Sequence, residues 1–352
     1  EKGKPEVMDL WNRMNDWVYA GFDATYKKTG SDFDTVYYES NTYLLGKELV
    51  EEGLKKNIFY TKEDGSVWID LRPDGLDEKI VQRKDGTAVY ITQDIGLAVH
   101  KYEEYGYEQS IYVVGNEQDY HFKVLKLICE KLGLPSSDGI YHLSYGMVEL
   151  PSGKMKSREG TVVDADDIIE KMEAISRQKT EELGKVSGFD ADELETLYET
   201  IGMGALKFFL LRIDPKKRMV FNPEESIDFH GFTGPFIQYT HARICSILRK
   251  QETLATELKK NLPLEILEKS LIIQAEHFPS ILREAADTLD PSKLAIYIFN
   301  VARTYNSFYA EHSIANAEND EKKLLRLKIS SLTSNIIRKG MQLLGIHVPE
   351  KM

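Results

Sequence analysis

A short basic stretch, "GKMKSREG" at 153–160, carries the residues best suited to chemistry on an anion. Lys154, Lys156 and Arg158 stand at alternate positions between a proline at 151 and the β-branched run "TVV". This composition is typical of a loop that grips phosphates, and it is equally typical of a solvated charged hairpin. A Walker A loop is excluded, because it needs a glycine five residues before the Gly-Lys pair and a Ser or Thr after it.

Tyr90 and Asp94 form a second candidate group, four residues apart in "VYITQDIG". We predict that Tyr90 lies late in a strand and that Asp94 opens the next helix, so that a phenol and a carboxylate converge at one sheet edge. A carboxylate there suits an ammonium or a guanidinium, and a planar guanidinium gains two parallel hydrogen bonds. The alternative is a carboxylate that satisfies backbone amides at a helix N-terminus. From spacing alone, that alternative is favoured.

A third group follows the apolar run "SIYVVG". Gly115 ends the predicted strand, and a glycine permits close approach of backbone to a ligand. Gln118 offers two donors and an acceptor. His121 is suited to donating to a phosphate or a ribose, or it is simply a partly exposed helix residue. These polar side chains predict a pocket without identifying its ligand.

The elements that must position these groups alternate between strand and helix. Apolar residues at helical spacing predict a helix over 6–29, and "VWIDL" and "TAVYIT" read as strands. Further elements are indicated by the helical "DIGLAVHKYEEYG", the strand "SIYVVG" and the helical "YHFKVLKLICEKLG". Nearly continuous apolar strands between helices predict an α/β unit with a parallel sheet, and ligands of such sheets sit beyond the strands' carboxyl ends. After the basic stretch, "DADDIIEKMEAISRQ" predicts another helix.

Beyond about residue 234 the pattern is helical only, and "HGFTGP" marks the boundary. Two apolar stripes predict packed helix faces: Leu294, Ile298, Val301, Tyr305 and Phe308, and Leu325, Ile329, Leu332, Ile336 and Leu343. The two cysteines, Cys129 and Cys245, stand in apolar helical contexts. They read as buried packing residues of a reducing compartment rather than as a disulfide or zinc site.

Charge and composition limit the class of protein. The net charge is −12, and residues after 220 carry 16 Lys+Arg and 16 Asp+Glu, so the first 220 residues hold the whole excess. This argues against a general nucleic-acid coat. No apolar run reaches the roughly 20 residues of a membrane span, and no signal-peptide pattern is present. Because the sequence starts at Glu1 without a methionine, we expect a trimmed piece of a longer chain.

Together these stretches resemble the arginyl-tRNA synthetases, a family of class I aminoacyl-tRNA synthetases. The resemblance rests on "GKMKSREGTVV", similar to the KMSKS signature loop, and it covers nearly the whole chain in order. It includes the following stretches: "VYYES", "VYITQDIGLAVHKYEEYG", "IYVVGNEQDYHFKVL", "GFTGPFIQYTHARICSILRK", "VARTYNSFYAEH" and "GMQLLGIHVPEKM". It implies a partial Rossmann-like nucleotide-binding fold over 1–230 and an all-α DALR-type anticodon-binding domain over 231–352.

The resemblance also assigns roles to individual residues. It implies that arginine is held by Glu39, Tyr90, Asp94 and Gln118. It implies that ATP is held by Gly115, His121, Met147, Val148, Lys154 and Met155. The catalytic loop residues would be Lys154, Lys156, Ser157 and Arg158, which would steady the departing pyrophosphate. The anticodon contacts would be Phe236, Tyr239, Tyr309 and Met352. Mg²⁺ would arrive with ATP, and no metal site of the protein's own is implied.

Two departures from the family pattern qualify these roles. Phe236 stands where the family often has tyrosine, and Ser157 stands at the fourth signature position, where most class I enzymes have lysine. None of the eight histidines belongs to an H-x-G-H pattern, so the first half of the nucleotide-binding fold, which carries "HIGH", is absent from this sequence.

We therefore expect the C-terminal portion of an arginine–tRNA ligase, inactive by itself, monomeric and cytoplasmic, with tRNA(Arg), L-arginine and ATP as partners. The resemblance further implies attack from the 2′-hydroxyl and a need for tRNA in the first step. Two alternatives stay open at this point: another class I synthetase, and a non-catalytic tRNA-binding module.

Overall fold

The computed structural model describes residues 4–42, 44–151, 163–182, 184, 188–250, 258 and 262–352. The chain divides into two compact units. The inserted unit is Phe33–Met147, and the main unit is Glu1–Asp32 together with Val148–Met352. This division concerns compactness alone, and the sequence-based domain boundary at residues 230 and 231 stays a prediction.

The inserted unit contains two small sheets and four helices. Its elements are α2 (Glu39–Thr42), α3 (Lys47–Lys55), β1 (Tyr60–Thr61), β2 (Val67–Asp70), β3 (Glu78–Gln82), α4 (Tyr90–Tyr105), β4 (Ser110–Gly115), α5 (Asp119–Leu132) and β5 (Ile140–Tyr145). Strands β1, β2 and β3 pair antiparallel in that order. Strands β4 and β5 pair parallel, with Ser110 opposite Ile140 and Gly115 opposite Tyr145. The predicted parallel pairing is thus confirmed for this strand–helix–strand segment.

One predicted strand is wrong. Within "TAVYIT" only Ala88 makes a bridge, to Gln82, and helix α4 begins at Tyr90. Ile91, Ile95 and Ala98 are buried at spacings of four and three residues, which is the period of a helix. The short β-branched run suggested a strand, but burial of this helical stripe decides the local structure.

The main unit is largely helical. Its elements are α1 (Pro5–Thr29), β6 (Val148–Glu149), α6 (Ala165–Glu182), α7 (Ala191–Leu211), β7 (Met219–Val220), α8 (Pro223–Ser226), α9 (Gly234–Arg249), α10 (Ile266–Thr288), α11 (Pro291–Glu311) and α12 (Asp320–Leu343). The helices predicted over 6–29 and after the basic stretch are confirmed as α1 and α6. Helix α7 starts at a capping box, in which the Asp190 side chain accepts from the Glu193 amide at 2.8 Å and Glu193 accepts in return.

Helices α9 to α12 form the helical bundle, whose core is closed. Every member of the first predicted stripe, from Leu294 to Phe308, is buried. The second stripe is correct only in part, because Leu332 and Leu343 are exposed. Helix α12 instead packs through small residues, and a Cβ at Gly340 would collide with the Ile298 side chain. Close helix approach thus replaces a wide apolar face on α12.

A buried ionic network ties α10 to α12. The Glu268 carboxylate is fully buried and accepts from Lys322 Nζ at 2.7 Å and from Arg326 Nε at 2.9 Å. Arg326 also donates to the Ser313 carbonyl at 2.7 Å and to Glu318 at 2.9 Å. Burial alone would raise the pKa of Glu268, but the hydrogen bonds from the two cations outweigh it, and the pKa is lowered.

The two cysteines differ in burial. Cys129, in α5, is buried as predicted, whereas Cys245, in α9, is only half-buried, so the prediction of two buried cysteines is correct for the first alone. Cys245 Sγ lies 3.8 Å from His241 and from Ser334 Oγ. Among the described residues, no helix has the length and apolar character needed to cross a bilayer.

Candidate functional site

Tyr90 and Asp94 share one face of α4, because residues four apart on a helix lie one above the other. Tyr90 begins this helix, so the prediction that it lies late in a strand is wrong, whereas Asp94 lies early in a helix as predicted. The Tyr90 side chain is 72% exposed. The Asp94 carboxylate is half-exposed, and its Oδ2 lies 2.6 Å from Nε2 of His121. One carboxylate oxygen is thus engaged, and the group stays accessible for a second, positively charged partner.

The segment that carries Glu39 runs along the same helix in the opposite direction. Thr35 Oγ1 lies 2.6 Å from the Tyr105 hydroxyl at the far end of α4, and Tyr37 donates to Glu104. At the near end, a Cβ on Gly46 would collide with the Thr92 carbonyl oxygen. Gly46 also has a φ of +93°, which favours glycine.

Glu39 begins α2, which lies between these two anchor points and packs against α4. The structure therefore brings a second carboxylate-bearing segment to the helix of Tyr90 and Asp94.

Gln118 and His121 follow the carboxyl end of β4. Gln118 closes a short 3₁₀ turn, Asn116–Gln118, before α5. Because His121 pairs with Asp94, it lies beside a residue predicted to bind the substrate arginine. The predicted role of His121 at the nucleotide stays untested. Gly115 has ordinary backbone angles, and a Cβ there would meet the Tyr145 ring at 3.7 Å, an ordinary van der Waals contact, so the local geometry does not require a glycine.

His142 is a neighbour that the sequence did not indicate. Its Nε2 lies 3.0 Å from the Val114 carbonyl, and its Nδ1 lies 3.3 Å from Asp119 Oδ1. The Phe122 ring stacks on it at 4.3 Å between centroids and meets His121 edge-on. His142 sits opposite Tyr112 in the register of β5 on β4, a pairing across the sheet that only the fold reveals.

Lys101, a half-buried residue of α4 itself, adds positive charge near the site. Lys101 Nζ donates to Ser110 Oγ at 3.1 Å and lies 4.0 Å from the Tyr112 ring centroid. Burial lowers the pKa of Lys101, and the charge of Asp94 opposes that shift. Burial also raises the pKa of Tyr112 well above its ordinary value.

The remaining predicted nucleotide and loop residues are less informative. Met147 is partly exposed at the end of the inserted unit, and Val148 begins β6, which pairs parallel with β7. The loop residues all lie outside the described residues: Lys154, Met155, Lys156, Ser157 and Arg158. Their predicted roles stay predictions.

A cleft of about 860 Å³ opens beside α9 and α11 in the main unit. Three of the four residues predicted to contact an anticodon line it, namely Tyr239, Tyr309 and Met352. Phe236 does not line it. That ring packs at the edge of the bundle core, 5.2 Å from the Phe299 ring. Phe236 therefore packs in the bundle, and the absence of a hydroxyl at this position does not change the lining of the cleft.

Arg243 is the central residue of this cleft, and the sequence did not single it out. Its guanidinium lies 4.7 Å from the Tyr239 ring and 5.3 Å from the Tyr309 ring. Asn306 accepts a hydrogen bond from Arg243 and donates to Thr240 Oγ1 at 2.8 Å, which fixes the guanidinium between the rings. The available signal was its position four residues after Tyr239 on one helix.

The cleft is electropositive. Its described lining contains four cationic residues and no Asp or Glu: Arg243, Arg249, Lys250 and Lys351. Aromatic faces combined with cationic groups are suited to stacking on unpaired bases and to neutralising their phosphates. The bundle is neutral in net charge after residue 220, so this concentration of positive charge is local.

Comparison with known proteins gives two family matches in order along the chain. Residues 1–222 match the family described as tRNA synthetases class I (R), catalytic domain. Residues 237–352 match the DALR anticodon binding domain. A curated relative, the arginine–tRNA ligase of Flavobacterium psychrophilum, is 54% identical over 358 aligned residues. That match covers the whole of this chain and 59% of the relative, so the chain spans about three fifths of the relative's length.

Solved structures agree with these matches. The Thermus thermophilus arginyl-tRNA synthetase superposes with a TM-score of 0.83 at 25% identity, covering 99% of this chain and 65% of that protein. The Plasmodium falciparum arginyl-tRNA synthetase gives a TM-score of 0.82 at 22% identity, covering 99% and 60% respectively, and supports the fold alone.

Proposed function

Because the chain belongs to the class I arginyl-tRNA synthetase family, with its catalytic and DALR domains, we propose that it is the larger part of an arginine–tRNA ligase. The reaction would join the arginine carboxylate to the α-phosphate of ATP, releasing pyrophosphate. The adenylate would then pass its arginyl group to the terminal adenosine of tRNA(Arg). The observation that carries the proposal is the convergence of Tyr90, Asp94 and the Glu39 segment along α4.

Asp94 would select the substrate by charge and shape. A guanidinium presents parallel N–H donors, and a carboxylate accepts two of them with a geometry that an ammonium cannot reproduce. The contact between His121 and Asp94 Oδ2 at 2.6 Å fixes the orientation of this carboxylate. Glu39 would supply the second negative charge, and the exposed Tyr90 phenol would close over the side chain. Gln118 would hold the main-chain groups of arginine.

The nucleotide side of the proposal rests on the family resemblance. Gly115 would lie near the nucleotide, and the backbone at Met147 and Val148 would read the adenine edge. His121 would lie near the nucleotide as well as beside Asp94. ATP would bring Mg²⁺ as part of the substrate. Lys154, Lys156 and Arg158 would stabilise the charge that develops on the departing pyrophosphate.

The RNA side of the proposal is supported by the cleft. Tyr239 and Tyr309 would stack on splayed anticodon bases, since aromatic stacking tolerates every base. Met352 would contact a base edge, and the four cations would meet the phosphates. We further propose that the enzyme acts in the cytoplasm and as a monomer, which light scattering after size exclusion would test.

We also propose that this chain does not aminoacylate by itself. About two fifths of the curated relative's length lies outside the match, and two apolar surfaces of the described residues are exposed. Helix α1 buries none of its residues, and Trp17 is 67% exposed. On β4, Val113 is 64% exposed, although the faces of parallel sheets are ordinarily covered. Both surfaces fit a catalytic domain that lacks part of its fold.

The test combines binding with turnover. Purified chain should bind L-arginine measurably in ligand-observed NMR and should lose that binding in Asp94→Asn, but not in Asp138→Asn, an exposed carboxylate in the loop before β5. The same chain should give no arginine-dependent exchange of pyrophosphate into ATP. Robust exchange would overturn the proposed inactivity, and binding of leucine or methionine in place of arginine would overturn the substrate.

A second candidate, a tRNA-binding module without catalysis, is favoured only by the completeness of the cleft. It predicts tight binding of tRNA(Arg) together with no response to arginine or ATP. The retained pairing of Asp94 with His121 supports the enzyme instead.

A further inference from the structure

The segment Ile346–Met352, here called the strap, is held on α9 through its backbone. Gln238 Nε2 donates to the His347 carbonyl at 2.8 Å, and His241 Nδ1 donates to the Pro349 carbonyl at 3.0 Å. Arg249 donates to the Glu350 carbonyl, also at 3.0 Å. Three side chains of one helix thus hold three backbone carbonyls within residues 347–350.

The donors and the cleft occupy neighbouring faces of α9. Gln238, His241 and Arg249 recur at helical spacing on the face that meets the strap. Tyr239 and Arg243, each one or two positions further on, line the cleft. The position of the strap is therefore fixed relative to the aromatic wall of the cleft.

The strap in turn contributes to the lining of the cleft. Lys351 and Met352 line the cleft, and Met352 packs with Tyr239 against the apolar cluster of α6 and α7. Lys351 Nζ also donates to the Gly188 carbonyl and lies 3.9 Å from the Phe189 ring. Lys351 and Met352 follow directly after Glu350, whose carbonyl is the last one that α9 holds.

We infer that His241 is a positioning residue for RNA binding, acting through the strap to set Met352 and Lys351 in the cleft. The inference rests on the proposed function for the identity of the RNA. His241 and Gln238 are both almost completely buried and so make no contact with RNA themselves. Among the three donors, Arg249 holds the carbonyl nearest to the cleft-lining end of the strap, but Arg249 itself lines the cleft. Of the two donors that do not line it, His241 holds the carbonyl nearer to that end.

A matched pair of variants separates the grip from the fold. His241→Asn keeps an N–H donor at the place of Nδ1, and His241→Ala removes it. In methyl-labelled chain, the Met352 signal should shift and sharpen in His241→Ala but not in His241→Asn. Met219, which is buried on β7 and does not belong to the cluster against which Met352 packs, serves as the internal control, because its signal should stay in place if the fold is intact.

The RNA measurement uses an anticodon stem-loop hairpin of tRNA(Arg) and a hairpin with a scrambled loop. His241→Ala should weaken binding of the first about tenfold, His241→Asn should restore most of it, and the scrambled hairpin should bind weakly to all. Met352→Ala combined with His241→Ala should cost less than the sum of the two, because one residue acts through the other.

The outcomes decide the inference and the proposed function separately. An unmoved Met352 signal in His241→Ala, or full additivity with Met352→Ala, would overturn the positioning role. A wild-type chain that does not distinguish the two hairpins would overturn the RNA assignment. In that case the Met352 signal alone would still decide whether His241 positions the strap.

Discussion

The helical bundle and the inserted unit solve the problem of burial differently. The bundle encloses a core drawn from four helices, with Ile298, Tyr305, Phe308 and Ile337 fully buried. The inserted unit has a core between α4, α5 and its strands, but its parallel pair of strands leaves Val113 open. A two-stranded sheet is marginal without a covering layer. Within the described residues, the bundle therefore covers its apolar faces, whereas the inserted unit leaves part of its parallel strand pair exposed.

The largest expected effect is a loss of stability in the bundle alone. Glu268→Ala leaves Lys322 and Arg326 buried without their carboxylate, which should cost about 3–5 kcal/mol of unfolding free energy. Urea unfolding followed by circular dichroism measures the loss, with the exposed Glu276→Ala on the same helix as control. Equal destabilisation of both variants would show that the ionic network does not stabilise the bundle.

The next largest effect concerns the inserted unit. Asp94→Asn should weaken L-arginine binding about tenfold to a hundredfold, because a charged hydrogen-bonded partner contributes about 1.5–3 kcal/mol. Binding of the anticodon hairpin should not change. Calorimetric or NMR titration with arginine and with the hairpin checks both statements. A loss of hairpin binding would mean that the two regions are not independent.

A reciprocal pair of tyrosines sharpens the same contrast. Tyr309→Ala should weaken hairpin binding by about 1–3 kcal/mol, the contribution of one aromatic stack, and leave arginine binding unchanged. Tyr90→Ala should do the opposite, since its exposed ring belongs to the inserted unit. Fluorescence anisotropy with labelled hairpin and arginine titration provide the two readouts. Identical profiles for the two variants would refute the division of labour.

A smaller effect should follow from pH at the strap. Burial lowers the pKa of His241, and the positive charge of Arg338 lowers it further. The hydrogen bond to the Pro349 carbonyl and the negative charge of Glu350 oppose this shift. Cys245 lies beside His241, and Ser334 lies beside Cys245. The unfolded chain therefore binds a proton at higher pH than the folded one. Stability from this group is present above the ordinary histidine pKa of about 6.5 and is lost as pH falls below it. His241→Asn should flatten this part of the stability–pH curve. An unchanged curve would exclude the histidine as its source.

The smallest effect on stability concerns α1. Val18→Glu on its apolar face should change the unfolding free energy by no more than about 0.5 kcal/mol, because nothing in the described chain buries this residue. It should, however, reduce self-association in light scattering at high concentration. Ala20→Glu on the polar face of the same helix is the matched control. A large destabilisation by Val18→Glu would show that the face is already covered.

Periodicity predicted the long elements, and among the short ones it predicted β2 and β4 but missed the start of α4. The stripe from Leu294 to Phe308 spans several turns, so its helical period is unambiguous. The stretch "TAVYIT" is too short to separate a strand from the first turn of a helix, and burial of Ile91 and Ile95 settles it. The exposed Leu332 shows the converse, because α12 packs through small residues that carry little hydrophobic signal.

The candidate site was predictable by type but not by geometry. Tyr239, Tyr309 and Met352 came from the family resemblance, since spacing alone makes such residues core. Asp94 and His121 were each identified, yet they are 27 residues apart and their contact depends on how α4 and α5 pack. Arg243 was missed, because an arginine on a helix is ordinarily a solvated residue until two rings are found beside it.

The strap's mode of attachment has a further consequence for protein engineering. Since α9 holds the strap through peptide carbonyls, the exposed side chains at positions 347 and 350 can be changed while the same acceptors remain. New side chains introduced there would be displayed at a set height and angle beside Lys351 and Met352. The tail of this chain is thereby a ready scaffold for randomised libraries.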